Sequence, residues 1–289
     1  MGRPPKLDPK KQLTADQKAI LVGGLLGDCW IELQVGAKNA RIGLQLATKD
    51  SGYFIEWCQT FSDWLEDKAK ITVMKAYETG EYKPQLTART LSHPEFTSLF
   101  EVFRPGGVQK LVPSVSWLQT QFTELSFAQL FMQDGSRHGI KAAPGFDIHT
   151  QGFTFESSAR LCFLLHEKFG VDAWLTRDIK LDATTKEVRK VYWNIYISSD
   201  SYAKVVTLLQ TNMNQDMVAR KFHPVPIGER PRNPKNKVGI FNEMFAANVN
   251  LREDIYYALP EELIQEYAIK ICANPNKKPI IKPPVLKEV

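Results

Sequence analysis

The sequence predicts an α+β fold made of two similar halves, over residues 13–113 and 114–222. Helical and strand periodicities follow one another in the same order in each half. Each half also begins with an apolar helix that ends in an aspartate, and these residues, Asp28 and Asp134, lie 106 positions apart. Internal repetition of this kind indicates a pseudo-dimer within one chain. Two unrelated α+β domains are the alternative, and they would leave the matched helix ends as a coincidence.

Capping residues and apolar spacing define the elements of the first half. Thr14 is an N-cap residue with Gln17 three positions on, so a helix is predicted over residues 15–28. Apolar residues alternate with polar or small ones over 41–46, which predicts a strand. The other predicted elements are a helix over 50–66, strands over 71–77 and 85–90, and a short helix over 93–103.

The second half repeats this order. It opens with a long helix predicted over residues 116–134. A later helix over 154–169 is expected to stop at Gly170, because glycine readily forms a left-handed C-cap. The other predicted elements are a strand over 146–150, a hairpin of strands 173–181 and 188–197 around the polar stretch 182–187, and a closing helix over 201–213.

The composition excludes several classes of protein. The chain of 289 residues is 43% hydrophobic and 24% charged, which is ordinary for a globular protein. No apolar run approaches the roughly 18 residues of a membrane span, so we expect no membrane partner. The sequence also has no phosphate-binding or serine-hydrolase motif. The cysteines show neither zinc-ligand nor disulfide-framework spacing; they are Cys29, Cys58, Cys162 and Cys272.

Basic residues are concentrated in two places, although the net charge is only +5. One cluster lies in a basic N-terminal arm, residues 1–12, and the other spans residues 220–237. The second cluster enters a Pro-rich C-terminal extension, residues 223–289, in which one helix is predicted within 259–272. Basic clusters suit a polyanion, because they neutralise phosphates and release counterions. The charge distribution therefore favours a nucleic-acid partner.

The segments LVGGLLGDC (21–29) and FAQLFMQDG (127–135) indicate the chemistry. In each, an apolar helix ends in an aspartate, where the helix dipole disfavours negative charge. Uncapped carbonyl oxygens and a carboxylate together make a hard oxygen site suited to Mg²⁺. The same arrangement in both repeats is what a two-metal or shared-metal phosphodiesterase needs, with one carboxylate for each strand to be cut. The alternative is a buried glycine-rich helix whose aspartate only caps the next turn.

Glycines in the first of these helices indicate close packing. Gly23 and Gly27 lie on one helical face. Glycine costs about 1 kcal/mol relative to alanine inside a helix, so its repeated use needs a reason. The close approach of a second helix is such a reason, and it would bring Asp28 and Asp134 near each other.

The two segments resemble the paired signature of the LAGLIDADG homing endonucleases, in their single-chain branch. Other segments extend the resemblance, in the expected order, over residues 14–222. Cys29 and Gln133 depart from the family pattern at the turns, and the bulky Gln129 and Phe131 should make the helix pair asymmetric. The supporting segments are KLVPS at 110–114, DIHTQGFTFESS at 147–158, YWNIYISSDS at 192–201 and MVARKF at 217–222.

This resemblance implies a fold and an activity. Each half would be an αββαββα unit, with the halves packed through their LAGLIDADG helices and the antiparallel sheets forming a DNA-binding saddle. The protein would be a monomer that binds a double-stranded DNA target site. It would hydrolyse both strands across the minor groove and leave 3′ overhangs.

The resemblance also implies a metal site. Asp28 and Asp134 would be catalytic residues that bind Mg²⁺, with the main-chain carbonyls of Gly27 and Gln133 as neighbouring ligands. Mn²⁺ would substitute for Mg²⁺, whereas Ca²⁺ would bind without supporting cleavage.

Two lysines would complete the catalytic group. Lys110 lies 82 residues after Asp28, and Lys221 lies 87 residues after Asp134. By resemblance, they organise the solvent around each metal and phosphate. Arg220 is the rival for the second of these roles.

DNA contacts are expected on the face of the strands that points away from the core. Arginine, glutamine and asparagine side chains match base edges in the major groove, and lysine matches phosphates. The expected contacts of the first half are Arg41, Gln45, Lys49, Gln85, Thr87 and Arg89, and those of the second half are Lys180, Lys186, Lys190, Tyr192 and Asn194.

An intron-encoded RNA maturase, with or without DNA cleavage, is the alternative function. Its partner would be the host intron RNA, whose splicing it would assist. A DNA-binding module without chemistry is a third hypothesis. The presence of both aspartates and both lysines favours the nuclease. The expected compartment is an organelle that encodes the protein, a mitochondrion or chloroplast, or else a prokaryotic cytoplasm.

Overall fold

The computed structural model describes residues 7–66, 70–75, 82–107, 109–138, 145–181 and 188–222. Within them, the chain forms two compact units. The first unit contains the chain up to Pro113, Thr120–Gly135 and the residues from Val206 onward. The second unit contains Ser114–Gln119 and Ser136–Val205. The predicted turn at 182–187 and the predicted extension 223–289, with its helix, lie outside the described residues, as does the beginning of the N-terminal arm.

The first helix, α1, spans Ala15–Leu26 and begins at the predicted cap. The Thr14 side chain accepts the N–H of Gln17, and the Gln17 side chain accepts the N–H of Thr14. This capping box satisfies two N–H groups that the helix cannot pair internally. The helix ends earlier than predicted, with Gly27 as its C-cap, so Asp28 lies just beyond the helix.

A four-stranded antiparallel sheet follows, in the order β1-β2-β4-β3. Its strands are β1 (Trp30–Glu32), β2 (Arg41–Ala47), β3 (Lys70–Lys75) and β4 (Tyr82–Arg89). The helices α2 (Ser51–Thr60) and α3 (Pro94–Phe103) pack on this sheet. Helix α2 is shorter than predicted, and a 3-10 turn over Ser62–Trp64 takes up part of the remainder. Aromatic side chains such as Trp57 and Phe96 fill the core between these layers.

The single helix predicted over 116–134 is wrong, because the chain forms two helices there. These are α4 (Val115–Gln121) and α5 (Glu124–Asp134). Thr123 has an extended backbone, and its hydroxyl accepts the N–H of Ser126, which starts a new helix. Apolar residues continue on both sides of the break, so the periodicity of the sequence does not show it.

The sheet of the second unit has the order β5-β6-β8-β7, which repeats the order of the first. Helix α6 (Phe155–Phe169) packs on β7 and β8 and stops at Gly170, whose φ is 58°. Helix α7 (Tyr202–Leu209) follows, and the last described helix, α8 (Gln215–Lys221), belongs to the first unit. The strands are β5 (Gly135–His138), β6 (Gly145–Ile148), β7 (Ala173–Leu181) and β8 (Val188–Ile197).

The repeated arrangement of strands and helices confirms the predicted α+β fold with two similar halves. The compact units do not coincide with the sequence repeats, because α5 and α8 pack in the first unit. The boundary between halves at residues 113 and 114 therefore stays a prediction. No described helix combines the length and the hydropathy needed to cross a membrane.

Candidate active site

Helices α1 and α5 pack against each other at very short distance because α1 presents glycines to α5. A Cβ atom on Gly23 would lie 2.0 Å from the carbonyl oxygen of Ser126 and 2.7 Å from the Cβ of Gln129. A Cβ atom on Gly27 would lie 2.5 Å from the side-chain oxygen of Gln133. These distances leave no room for a side chain at either glycine. The prediction that these glycines permit close helix packing is confirmed.

The two helices differ in the residues that they bring to this contact. Gln129 and Gln133 of α5 stand at the signature positions that Gly23 and Gly27 occupy in α1. The large side chains of α5 fill the space that the glycines of α1 leave open. The helix pair is therefore asymmetric, as the sequence predicts.

This packing brings the ends of the two signature segments together. The main-chain N–H of Asp28 donates to Oε1 of Gln133, the residue before Asp134, at 2.5 Å. Asp134 is the last residue of α5. Asp28 retains contact with solvent, and Asp134 is half-buried. A carboxylate from each signature segment thus reaches one small region of the first unit.

The two carboxylates resist ionisation in this region. Burial, followed by repulsion from Asp28, raises the pKa of Asp134 to about 7. Burial also raises the pKa of Asp28, with a smaller contribution from Asp50. Lys110 and Lys221 act in the opposite direction on both aspartates. A second acidic group near a carboxylate disfavours its charged form, so Asp28 adds to the rise in the pKa of Asp134 that burial causes.

The two lysines hold equivalent carbonyl groups beside the aspartates. Nζ of Lys110 donates to the carbonyl of Gly27 at 2.7 Å and to that of Cys29 at 3.3 Å. Nζ of Lys221 donates to the carbonyl of Gly135, immediately after Asp134. Each ammonium group is therefore placed next to one carboxylate by a main-chain hydrogen bond.

The protein environment makes both lysines easier to deprotonate. Burial lowers the pKa of Lys110. Burial, followed by the charge of Arg220, lowers the pKa of Lys221 to about 8, and the nearby carboxylates offset part of this effect. Perturbed pKa values of this kind are common where titratable groups meet in a functional site.

Arg220 has a different partner from Lys221. Its guanidinium forms an ion pair with Asp50, whose side chain is only 11% exposed. The structure thus places Lys221, rather than its neighbour, beside Asp134. The role of Asp50 could not be predicted from the sequence, because its partner lies 170 residues later and no periodicity links the two positions.

The donor set suits a hard divalent cation. Among the described residues, no cluster of three or more histidine, cysteine, aspartate or glutamate side chains could hold an ion. Asp28 and Asp134 alone would supply the side-chain ligands, which matches Mg²⁺, an ion that commonly uses one or two carboxylates together with water and phosphate oxygens. The carbonyl of Gly27 already accepts from Lys110, but a carbonyl oxygen has a second lone pair. The residues present therefore fit the predicted metal.

Five of the six expected DNA contacts of the first half share one face of its sheet, and the sixth, Lys49, lies in a 3-10 turn after β2. The pairs Gly43–Arg89, Gln45–Thr87 and Ala47–Gln85 face each other across β2 and β4. Lys49 and Arg89 are exposed. Arg41 is engaged by Glu32 and Glu66, at 2.7 and 3.1 Å, and its side chain is 11% exposed. Arg41 would have to exchange these carboxylates for DNA.

Two of the expected contacts of the second half, Tyr192 and Asn194, share one face of β8. Tyr192 and Asn194 are half-buried on β8, whereas their neighbour Trp193 is buried on the opposite face. Lys180 and Lys190 are paired residues of β7 and β8. Lys186 lies outside the described residues.

Two polar pairs, which join β5 to β6 and to the residue after it, were not predicted from the sequence. Ser136 and His149 are joined at 2.9 Å, and His138 and Asp147 at 2.5 Å. Asp147 faces Tyr196 across the sheet, and Tyr196 has the same strand parity as Asn194. These pairs therefore extend the polar face of the second sheet. The sequence predicted a strand over 146–150 but none at β5, so it gave no partner for Asp147 or His149.

Comparison with known proteins connects this geometry to a family. Residues 18–205 match the model of the LAGLIDADG DNA endonuclease family. The homing endonuclease I-WcaI bound to its DNA recognition sequence is similar in structure, with 22% identity, a TM-score of 0.62, and coverage of 74% of this chain and 89% of that chain. Mesophilic variants from the homing endonuclease I-DmoI match with 16% identity and a TM-score of 0.38, over 68% of this chain and 96% of that one. No curated protein matches the chain at a significant level. At these identities, the likeness to I-WcaI shows a shared fold.

Proposed function

Because the chain belongs to the LAGLIDADG DNA endonuclease family, we propose that it is a homing endonuclease that hydrolyses both strands of a specific DNA site. The observation that carries this proposal is the meeting of Asp28, Asp134, Lys110 and Lys221 in one region of the first unit. A site with one carboxylate and one lysine from each repeat can hydrolyse one phosphodiester in each of the two DNA strands. The proposed cleavage runs across the minor groove and leaves 3′ overhangs.

The residues of this chain have separate tasks in the proposed reaction. Asp28 and Asp134 would hold Mg²⁺, which would supply charge stabilisation at the phosphate and would lower the pKa of water. Lys221, with a pKa of about 8, carries a proton at neutral pH and places positive charge beside Asp134. Lys110 lies beside Asp28, where its Nζ donates to the carbonyl of Gly27. A positive charge at either position can stabilise the negative charge that develops on a scissile phosphate.

The polar sheet faces are the proposed DNA-binding surfaces. Exposed lysines such as Lys49 would contact phosphates and set the register of the protein on the duplex. Side chains such as Gln45 and Asn194 would read base edges. The proposed partner is double-stranded DNA, bound by a monomer, and Mn²⁺ is expected to replace Mg²⁺ in cleavage.

The nuclease is favoured over the RNA maturase by the same four residues. Two carboxylates beside two partly buried lysines have a direct task in phosphodiester hydrolysis, whereas RNA binding needs only a basic surface. Tight and selective binding of a structured intron RNA, with no DNA cleaved, would instead support the maturase.

The proposal is tested by incubating the full chain with a plasmid library of randomised sites. We expect double-strand breaks at a long site with Mg²⁺ or Mn²⁺, and binding without cleavage with Ca²⁺. Asp28→Asn or Asp134→Asn should slow cleavage roughly a hundredfold or more, because each removes a metal ligand, while DNA binding in Ca²⁺ persists. Asp63→Asn is the matched control, because the Asp63 side chain is 84% exposed. Wild-type cleavage rates in both site variants would show that the site is wrongly assigned.

A further inference from the structure

A chain of hydrogen bonds runs from α2, where it is buried, to the exposed backbone of Asp28. The hydroxyl of Tyr53, a residue only 3% exposed, donates to Oε1 of Gln129 at 2.7 Å. The same hydroxyl oxygen accepts from Nε2 of Gln133 at 2.7 Å. Oε1 of Gln133 in turn accepts the N–H of Asp28 at 2.5 Å. Three side chains from two helices thus end at one of the two candidate metal ligands.

The chemistry of the groups fixes the direction of this chain. A main-chain N–H can only donate, so the amide of Gln133 must turn its oxygen toward Asp28. Its NH₂ group then points at the oxygen of Tyr53, which leaves the hydroxyl proton of Tyr53 for Gln129. Burial raises the pKa of Tyr53 well above its ordinary value, so the hydroxyl keeps its proton at neutral pH. Each group therefore has one orientation that satisfies its neighbours.

The glycine contacts of α1 show that the chain of bonds is built into the helix pair. A Cβ on Gly27 would lie 2.5 Å from Oε1 of Gln133, so only glycine leaves room for that amide. The position of Gln133 in the second signature segment is the position of Gly27 in the first. Asp28 therefore follows a glycine, Gly27, and its N–H is held by the side-chain amide of Gln133 from α5.

We propose that Tyr53 and Gln133 form a positioning unit that holds Asp28 in the orientation needed to bind a divalent cation. This inference rests on the proposed function of the site. Neither residue touches the reacting phosphate in this scheme. Gln133 anchors the backbone at Asp28, and Tyr53 keeps the Gln133 amide from rotating. Because the hydrogen bonds of the unit end at the backbone of Asp28, we expect its loss to affect the two halves of the site unequally.

The test compares Tyr53→Phe, Gln133→Ala and the double variant in the full chain. The substrate is a supercoiled plasmid carrying a site that the wild-type protein selected from the randomised library. We expect Tyr53→Phe to slow cleavage about tenfold at saturating protein, because small displacements of a reacting group can cost up to a hundredfold. The Kd for the same DNA in Ca²⁺ should not change. The ratio of the two single-strand cleavage rates should shift, because only Asp28 loses its support.

The double variant tests whether the two residues act through one chain of bonds. Tyr53 reaches Asp28 only through Gln133, so the double variant should cleave no more slowly than Gln133→Ala alone. Multiplying effects of the two substitutions would overturn the inference. Thr90→Val is the matched control, because it removes a buried hydrogen bond, from the N–H of Ile42 at 3.0 Å, elsewhere in the first unit. It should lower the melting temperature but leave cleavage of the folded protein unchanged.

A readout without cleavage separates this inference from the proposed function. Hydrogen exchange at the amide of Asp28 should be faster in Tyr53→Phe than in the wild type, and Mn²⁺ should bind more weakly in a titration of the metal alone. If the wild-type protein cleaves no DNA, the proposed function fails, and these two measurements still decide the positioning role. Unchanged exchange at Asp28 and unchanged Mn²⁺ affinity in Tyr53→Phe would overturn it.

Discussion

Gly23→Ala tests the packing on which the whole site depends. The added Cβ would lie 2.0 Å from the main-chain oxygen of Ser126, whereas a carbon and an oxygen in contact are normally about 3.3 Å apart. The helices α1 and α5 must therefore separate locally by roughly 1.3 Å, because a backbone carbonyl cannot rotate away as a side chain does. That displacement is larger than a catalytic site tolerates.

The expected loss of stability follows from two opposing effects. Alanine favours the helix by about 1 kcal/mol over glycine. Overpacking against a backbone group costs about 3 kcal/mol, the upper end of the usual range. The net loss of about 2 kcal/mol should lower the melting temperature by roughly 4–8 °C. Cleavage should fall by about a hundredfold, since Asp28 and Asp134 move apart.

The assays are thermal denaturation followed by circular dichroism, and cleavage of the selected plasmid site. Gly152→Ala is the control, because a Cβ at Gly152 would meet no atom within 4 Å. It should change stability by no more than about 0.5 kcal/mol and leave cleavage intact. A Gly23→Ala protein that melts at or above the wild-type temperature and cleaves at the wild-type rate would refute the reasoning.

Two further predictions concern charged groups of the first unit. Asp50→Asn and Arg220→Met should each lower the free energy of unfolding by about 2 kcal/mol, because each substitution leaves a partly buried partner unpaired. The double variant should lose little more than either single variant. Urea denaturation measures these losses, and additive losses would contradict the prediction. In EDTA, stability should fall as pH rises, because the pKa of Asp134, about 7 in the folded protein, lies above its ordinary 3.8. The contribution is complete below about pH 4 and is lost as pH rises through about 7, up to about 4 kcal/mol in all. Asp134→Asn should flatten this dependence in denaturation curves measured from pH 4 to pH 8, and a variant with an unchanged slope would show that another group is responsible.

Features determined by neighbouring residues could be predicted from the sequence. The capping box at Thr14 and the left-handed cap at Gly170 each depend on a few consecutive residues and occur where predicted. The close helix contact at Gly23 was also predictable, because repeated glycines inside a helix are costly unless something packs there. The break at Thr123 was not, since a cap between two apolar runs resembles a continuous helix.

Long-range contacts of the site were only partly predictable. Lys110 and Lys221 were identified through the resemblance to a family, and the structure places both beside the aspartates. Asp50 and Tyr53 were missed, although one pairs with Arg220 and the other supports Gln133. Their partners lie 80 to 170 residues away in the chain, and no local pattern records such a contact. Only the three-dimensional packing of α2 against later segments shows them.

The first unit is assembled from three separate stretches of chain, the last of which begins at Val206. During synthesis on the ribosome, Lys221 is therefore the last of the four proposed catalytic residues to emerge. A product that terminates before α8 lacks the lysine that lies beside Asp134. Under the proposed function, we expect such a product to be unable to cleave DNA.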